Sequence, residues 1–504
     1  MRRFVVRAAA AVGGLLILAA PLHAQGYHVR WNTWFQSVAY RGVQADSILA
    51  TDAVTVPGGG FETPDGFAVS CPAGATYCGF FRQGAEQRGM PVVSTIDASV
   101  WGFGIEGFKF HVKGRVGGDL EDGGFWPGVE PEVQLIEGYA EYAKRDVTVQ
   151  AGRTTVFSRL GYLGLDGGQV SVRPLRGKLR LRAYGGWALA EGAVLPITSP
   201  ELNPLAEFRP TKRELAFGGS VGWNLGVLEG RVLYRRDFDP GADLVSGERG
   251  AAEAAIRPGA GFTIAGGVEY DFLTKNWGTH DVLVRYRHPG GLADVTVGQR
   301  RYRPYFPVWS IWGVFSPVGY NREYAAVAAY PIAGLVLRTE GYLFNYEDTQ
   351  TQTPLGVFED GGWNWSAGGT YSGVQNLVFD ANYRAQFGPG ASSQGFDGRV
   401  TYRRDLFAVT ARGGRLERPL EYRFSDAEVW SYGLRVDVEP MPGMYLNAEA
   451  IRYDETRERP DAAQLDWDQT RFSVGATLVF GSSGSRSRGL HPAILRLPET
   501  RRSR

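Results

Sequence analysis

The chain is poor in the residues that most protein chemistry relies on. Its 504 residues include two cysteines, six histidines and four methionines. Two cysteines exclude a disulfide-dense scaffold. The histidines are scattered, and no H-E-x-x-H or C-x-x-C-H occurs. That removes the sequence signatures of zincins and covalently bound haem, and no cofactor is expected. Long apolar runs are also missing. Beyond residue 24 none reaches the roughly 18 residues that a spanning helix needs, and helical periodicity is largely absent. Lysine is scarce too, at 6 against 48 arginines, and the formal net charge is only +1. Such near balance argues against a nucleic-acid binder.

The first 24 residues stand apart. Arg2, Arg3 and Arg7 precede the short apolar run "AAAAVGGLLILAAP", and "LHA" then ends at Ala24. This order of basic, apolar and small residues is that of a secretory signal peptide, cleaved before Gln25. Removing its three arginines takes the net charge from +1 to −2. An exported chain meets an oxidising compartment, so Cys71 and Cys78, which bracket "PAGATY", are expected to form a small loop-stapling disulfide. No histidine lies near enough to suggest a metal site there.

What the chain does have is glycine and alternation. Glycine supplies 69 residues, about twice the usual share, and aromatics make up 13%. In "GKLRLRAYGGW", Lys178, Arg180 and Arg182 alternate with Leu179, Leu181 and Ala183. In "FKFHVKGRV", Lys109, His111, Lys113 and Arg115 face away from Phe108, Phe110 and Val112. "TRFSVGATLVF" repeats the pattern near the C-terminus. Side chains alternate along a strand, so each segment has one apolar and one polar face. "GFGIEG" (Gly102, Gly104, Gly107) precedes such a segment, so it is expected as a tight turn and not a dinucleotide loop.

These segments recur from Tyr27 to Phe480 with two kinds of connector. Some are short, such as "PMPG" at 440–443, "RRDL" at 403–406 and "YPIAG" at 330–334. Others are long and polar, such as "DETRERPDAAQLDWDQ" and "EDTQTQTPLGVFEDGG". Short turns at one end and long loops at the other are the pattern of an outer-membrane β-barrel, which closes because lipid cannot satisfy unpaired backbone. The count favours about 22 strands within roughly 18–22, with 251–257 as a weak strand of one hairpin. The expected organisation is a leader at 1–24, an all-β transmembrane barrel at 25–480 without an N-terminal plug domain, and a basic flexible periplasmic tail at 481–504. Aromatic pairs near strand ends (Tyr270/Phe272, Phe344/Tyr346, Tyr383/Phe387) suit interfacial girdles.

The organisation resembles the bacterial outer-membrane porin class across residues 26–480. "VQAGRTTVFSRLGYLGLDGGQVSV" (149–172), a Gly-Arg strand followed by a "DGG" return, loosely resembles alginate-export-type porins. The resemblance implies an outer-membrane channel of a Gram-negative bacterium and carries no substrate with it. The expected role is passive diffusion, without chemistry, of small solutes, mildly anionic because of the arginine rows or sugar-like because of the aromatic segment at 300–320. The polar faces carry a modest excess of basic residues. Candidates to line the lumen are Arg180, Arg182, Arg285, Arg287, Arg399 and Arg403. Cross-strand salt bridging is the plainer role for such rows.

One segment breaks the polar-loop rule. "RRYRPYFPVWSIWGVFSPVGY" (300–320) is aromatic, proline-kinked and basic at its start. By the strand count it is an extracellular loop. Either a short helix (Val308, Ile311, Trp312, Phe315) or an extended stretch fits it. If it folds inward, Arg300, Arg301 and Arg303 stand at a constriction, with Tyr305, Trp309 and Trp312 placed to stack on a solute. Two other functions compete. One is a sheath or docking barrel for a periplasmic partner such as a separate cytochrome, and the basic tail is a further candidate for partner binding. The other is a barrel enzyme, which would need a tight cluster of His, Ser and Asp at the outer rim. His280 and Asp281 are adjacent in one strand, point to opposite faces and cannot form a dyad with each other.

Overall fold

The computed structural model describes residues 26–56, 60–121, 133–189, 214–241, 243–303, 305, 319–347, 361–388, 391–417, 427–457 and 468–482. Strand β1 (Gly26–Leu49) is followed by short β2 (Val54–Thr55), β3 (Phe61–Glu62) and β4 (Ala68–Ser70), then β5 (Tyr77–Gly89). The first half of the remaining strands comprises β6 (Pro91–Trp101), β7 (Phe108–Asp119), β8 (Val133–Lys144), β9 (Val147–Ser158), β10 (Gly161–Val172), β11 (Leu179–Ala188), β12 (Leu215–Asn224), β13 (Leu228–Asp239), β14 (Leu244–Gly259) and β15 (Phe262–Asp271). The second half comprises β16 (Asn276–Arg287), β17 (Ala293–Tyr302), β18 (Tyr320–Ala329), β19 (Leu335–Tyr346), β20 (Gly361–Tyr371), β21 (Leu377–Gly388), β22 (Ala391–Arg404), β23 (Phe407–Glu417), β24 (Ala427–Met441), β25 (Met444–Arg457) and β26 (Gln469–Gly481).

From β6 to β26 each strand pairs antiparallel with the next, and β1 pairs with both β6 and β26, closing a 22-strand barrel. The hairpin expected around 251–257 is longer than the sequence suggested, with β14 running back to Leu244 and turning at Ala260–Gly261. The short turns after β18, β22 and β24 share one end with Gly26 and Gly481. That end is periplasmic by the barrel rule, and the long connections lie at the extracellular end. "GFGIEG" forms the β6–β7 turn, with Gly102, Gly104 and Gly107 all at positive φ.

The apolar faces point outward. On β26, Phe472, Val474 and Phe480 are exposed, while Ser473, Gly475 and Thr477 alternate with them toward the interior. Exposed Val282, Val284, Val297, Leu337, Val400 and Leu434 continue this belt, which is the surface a bilayer covers. Tyr270, Phe272, Tyr383 and Phe387 stand on the outward face, as girdle residues should. Phe344 and Tyr346 do not. They share the parity of Glu340, which pairs with inward Arg322, so alternation turns them into the lumen, where Phe344 is buried.

Strand β1 has a second role. Its Val38–Leu49 half leaves the wall and pairs with β5 to form a ribbon at the extracellular end. Strands β2–β4 cap it, Phe67 and Phe80 form a small core with Ile48 and Val69, and Cys71 is bonded to Cys78.

The assignment of faces is directly testable. Val474→Arg should cost about 2–4 kcal/mol in urea unfolding from vesicles, because it puts a cation on the lipid face near mid-depth. Ser473→Arg should cost far less, because it faces the lumen opposite Glu449.

Candidate functional site

Strands β9 and β10 are joined only by Arg159 and Leu160, yet together they outrun their neighbours. Strand β8 pairs with β9 no further than Gly138↔Arg153, and β11 pairs with β10 no further than Ala188↔Leu165. Past those points the two strands pair with each other up to Ser158↔Gly161, with one further backbone bond from the Leu189 N–H to the Gly164 carbonyl at 2.8 Å. The free arms are about 20 Å long at ~3.3 Å per residue.

This hairpin bends into the barrel. The bend falls on glycine. Gly152 has φ +127°, and a Cβ there would lie 2.3 Å from the Gly138 carbonyl oxygen. A Cβ on Gly167 would lie 2.2 Å from the Gly185 oxygen. Just beyond, Arg153 ties the arms together by donating from Nε and Nη2 to both carboxylate oxygens of Asp166, at 2.7 and 2.9 Å. Past the bend, Val156, Leu163 and Leu165 lie down on the inner wall against Ala216, Tyr184 and Ala188.

The tip docks further round the wall. Leu160 is buried with Leu233 and Ala251. Arg159 donates from Nη2 to the carbonyls of Gly267 (3.0 Å) and Thr279 (3.3 Å) and to the Asp281 carboxylate, and its Nε lies 3.4 Å from Glu269. Gly267 makes this possible, since a Cβ there would sit 2.5 Å from the Arg159 guanidinium. Arg249, only 8% exposed, donates to the Leu160 carbonyl at 3.0 Å. The ring of Tyr305 packs on the other side of that guanidinium, 3.7 Å from ring centroid to Cζ. Burial pushes the Tyr305 phenol above its usual range. Tyr305, near the start of the aromatic segment after β17, thus packs beside the hairpin tip at Arg249. The remainder, including Trp309 and Trp312, lies outside the described residues.

The other predicted residues divide by face. Arg180 borders a recess of about 510 Å³ below the hairpin tip, with Arg159, Lys178, Arg231 and Asp281. Arg182 donates to the Gln169 side chain at 2.9 Å. Arg285 and Arg287 share Asp294, at 3.3 and 3.0 Å. Arg399 lies 3.7 Å from Asp380, and Arg403 follows on the same face of β22. Arg300 lies inward and approaches the Tyr302 ring at 5.5 Å. Arg301 does not line a constriction. It is one residue on from Arg300, so it faces outward, where it grips Glu347. That hydrogen bond holds the Glu347 carboxyl below its usual range, and Arg303 adds to the same field. Tyr302, Tyr320 and Tyr346 form an inward ladder, with ring centroids 5.6 and 5.9 Å apart.

A Ser–His–carboxylate array does exist, inside the wall and not at the outer rim. His111 lies 3.0 Å from Ser99 Oγ and 3.2 Å from Glu137, which also accepts from Thr155 at 2.6 Å. Ser99 stands mid-ladder between β1 and β7, where its neighbours' backbone N–H groups are committed to strand pairing. The array joins the inner faces of β6, β7, β8 and β9. Among the described residues no cluster is suited to a metal ion.

The closed wall, outward apolar belt and inward polar face define a bacterial outer-membrane β-barrel. Among solved structures it is similar to the siderophore receptor PirA from Pseudomonas aeruginosa (TM-score 0.50, 10% identity, 90% of this chain and 80% of that one). Lower similarities join it to a BenF-like porin from Pseudomonas fluorescens Pf-5 (0.39, 11%, 91% and 99%) and to OccK2 (OpdF) from P. aeruginosa (0.40, 10%, 91% and 98%). No protein-family model and no curated protein matches the chain.

The docked hairpin can be trapped. Both native cysteines are bonded to each other, so Leu160→Cys with Ala251→Cys should cross-link efficiently through a short bifunctional thiol-reactive reagent, such as a bis-methanethiosulfonate, in intact outer membranes. No cross-link would place the hairpin elsewhere. Arg159→Met should destabilise the docked state by about 1–3 kcal/mol, because it takes the nearest cation from the partly buried Glu269 and Asp281 carboxylates. The expected readout is faster exchange of backbone amides in 154–165.

Proposed function

We propose that the barrel is an outer-membrane channel for passive, weakly selective diffusion of small solutes. The observation that carries this reading is the inward hairpin. It narrows a water-filled lumen from within while leaving the wall closed, which suits a sieve. The mechanism needs no bond chemistry. Solutes diffuse past a fixed obstruction along a face of paired charges.

A modest preference for anions follows from how those charges pair. The inward acids Glu137, Glu141, Glu269, Asp281, Asp294 and Asp437 are each held by a basic side chain. Arg115, Lys178, Arg180 and Arg384 face the same lumen and form no ion pair with an acid among the described residues. Unpaired cations along a pore raise the local anion concentration.

Purified protein in a planar bilayer under a KCl gradient tests this. The expected result is steady conductance with a reversal potential modestly on the chloride side. Lys178→Glu with Arg180→Glu should move it toward potassium. Clear cation preference in the unaltered protein would overturn the anion reading, and absence of conductance would overturn the channel.

A further inference from the structure

Bending the hairpin inward also inverts one of its faces. In a regular wall strand, Phe157 and Tyr162 would share the outward parity of Val149 and Val170. On the bent arm the opposite row, Val156, Leu163 and Leu165, is pressed on the inner wall, so Phe157 and Tyr162 project from the hairpin's free side. They are direct cross-strand partners. They stand two residues from a tip that docks on inward residues of β13–β16, and so lie inside the barrel perimeter. Phe157 is 77% exposed and Tyr162 42%. Two neighbouring aromatic faces held in water on a braced support favour a partner that covers them.

We infer that the Phe157–Tyr162 pair is a stacking platform for an uncharged, polyhydroxylated ring of about hexopyranose size. This rests on the channel reading and names what the channel favours. Such a ring has a flat C–H face that packs on an aromatic side chain, and hydroxyls at its edge that need hydrogen-bonding groups. Here those are the Tyr162 hydroxyl, the Thr155 hydroxyl and the Glu137 carboxylate that Thr155 donates to. The hairpin argues against an aromatic anion, because both its arginines are committed, Arg153 to Asp166 and Arg159 to Asp281 and Glu269. The hairpin therefore offers no free cation beside the rings.

The test is current blockade of the full-length protein in planar bilayers, with maltose, mannitol and benzoate as added probes. Maltose has the ring face, mannitol has hydroxyls without a ring, and benzoate has a ring with charge. Maltose is expected to block at the lowest concentration. Phe157→Leu with Tyr162→Leu keeps bulk and apolarity but removes the π faces, and should raise its half-blocking concentration about tenfold. Phe157→Trp should retain or strengthen the block. Far-UV circular dichroism and migration of the unheated barrel check that each variant is folded. Equal block by mannitol, tighter block by benzoate, or an unchanged maltose block in the double variant would each overturn the platform. If the protein fails to conduct, the channel reading falls by itself. Maltose titration calorimetry on the native and double-variant proteins then decides the platform, with loss of binding in the variant supporting it and equal or absent binding overturning it.

Discussion

Everything here depends on the inability of hydrocarbon to hydrogen-bond. A sheet in lipid has no tolerable edge, so the first strand must meet the last. The β1–β26 ladder runs in unbroken register from His28↔Gly481 to Ser37↔Phe472. Closure fixes which face of every strand meets acyl chains and which meets water, and so sorts the valines outward and the arginines inward. The same constraint is lifted inside. Water in the lumen can satisfy backbone groups, so β9 and β10 are free to leave the wall past Arg153 and Leu165.

Once inside, the hairpin is held by two kinds of force. Apolar packing of Val156, Leu163 and Leu165 on Ala216 and Tyr184 sets its plane, and the Arg159–Asp281–Glu269 and Arg249–Leu160 contacts fix its tip. Charges buried this far are costly to bring out of water and costly to separate, so pairing gives position more than net stability. The tip is docked in one place, and a constriction of constant shape results. Tyr305 adds a second element to the same point, stacking on the guanidinium that already holds Leu160.

Much of the barrel was legible because alternation is a direct physical record of a two-faced sheet. The short turns at Pro442–Gly443 and Asp405–Leu406, the long connections at the other end and the strand count of 22 follow from that pattern. The hairpin was not legible, because bending a strand inward leaves its alternation unchanged. Phe157 and Tyr162 carry the parity of lipid-facing residues while standing in the lumen. The usable signal was glycine, in "QAGR" and "LDGGQ", where close backbone approach allows the bend. Arg301 and Phe344 were misplaced for a simpler reason. A face is lost by one residue of register, and sequence alone sets the parity of a strand less surely near its end. The ribbon of β1 and β5 was hidden because one unbroken strand serves two sheets.

The seam between β1 and β26 has a consequence for how the molecule comes into being. Tyr27 and Ser482 stand beside each other, the backbone N–H of Ser482 donating to the Tyr27 carbonyl at 3.0 Å, with residues 28–481 between them. Contacts between the two ends of a chain are the last that its order of synthesis can supply. Until the C-terminal strand has crossed the inner membrane, β1 is held from one side only, and the nascent wall has two open edges in a periplasm that contains other unfinished sheets. Assembly of this barrel is therefore a race between closing on itself and pairing with a stranger, and the finishing line is drawn by its final thirteen-residue strand.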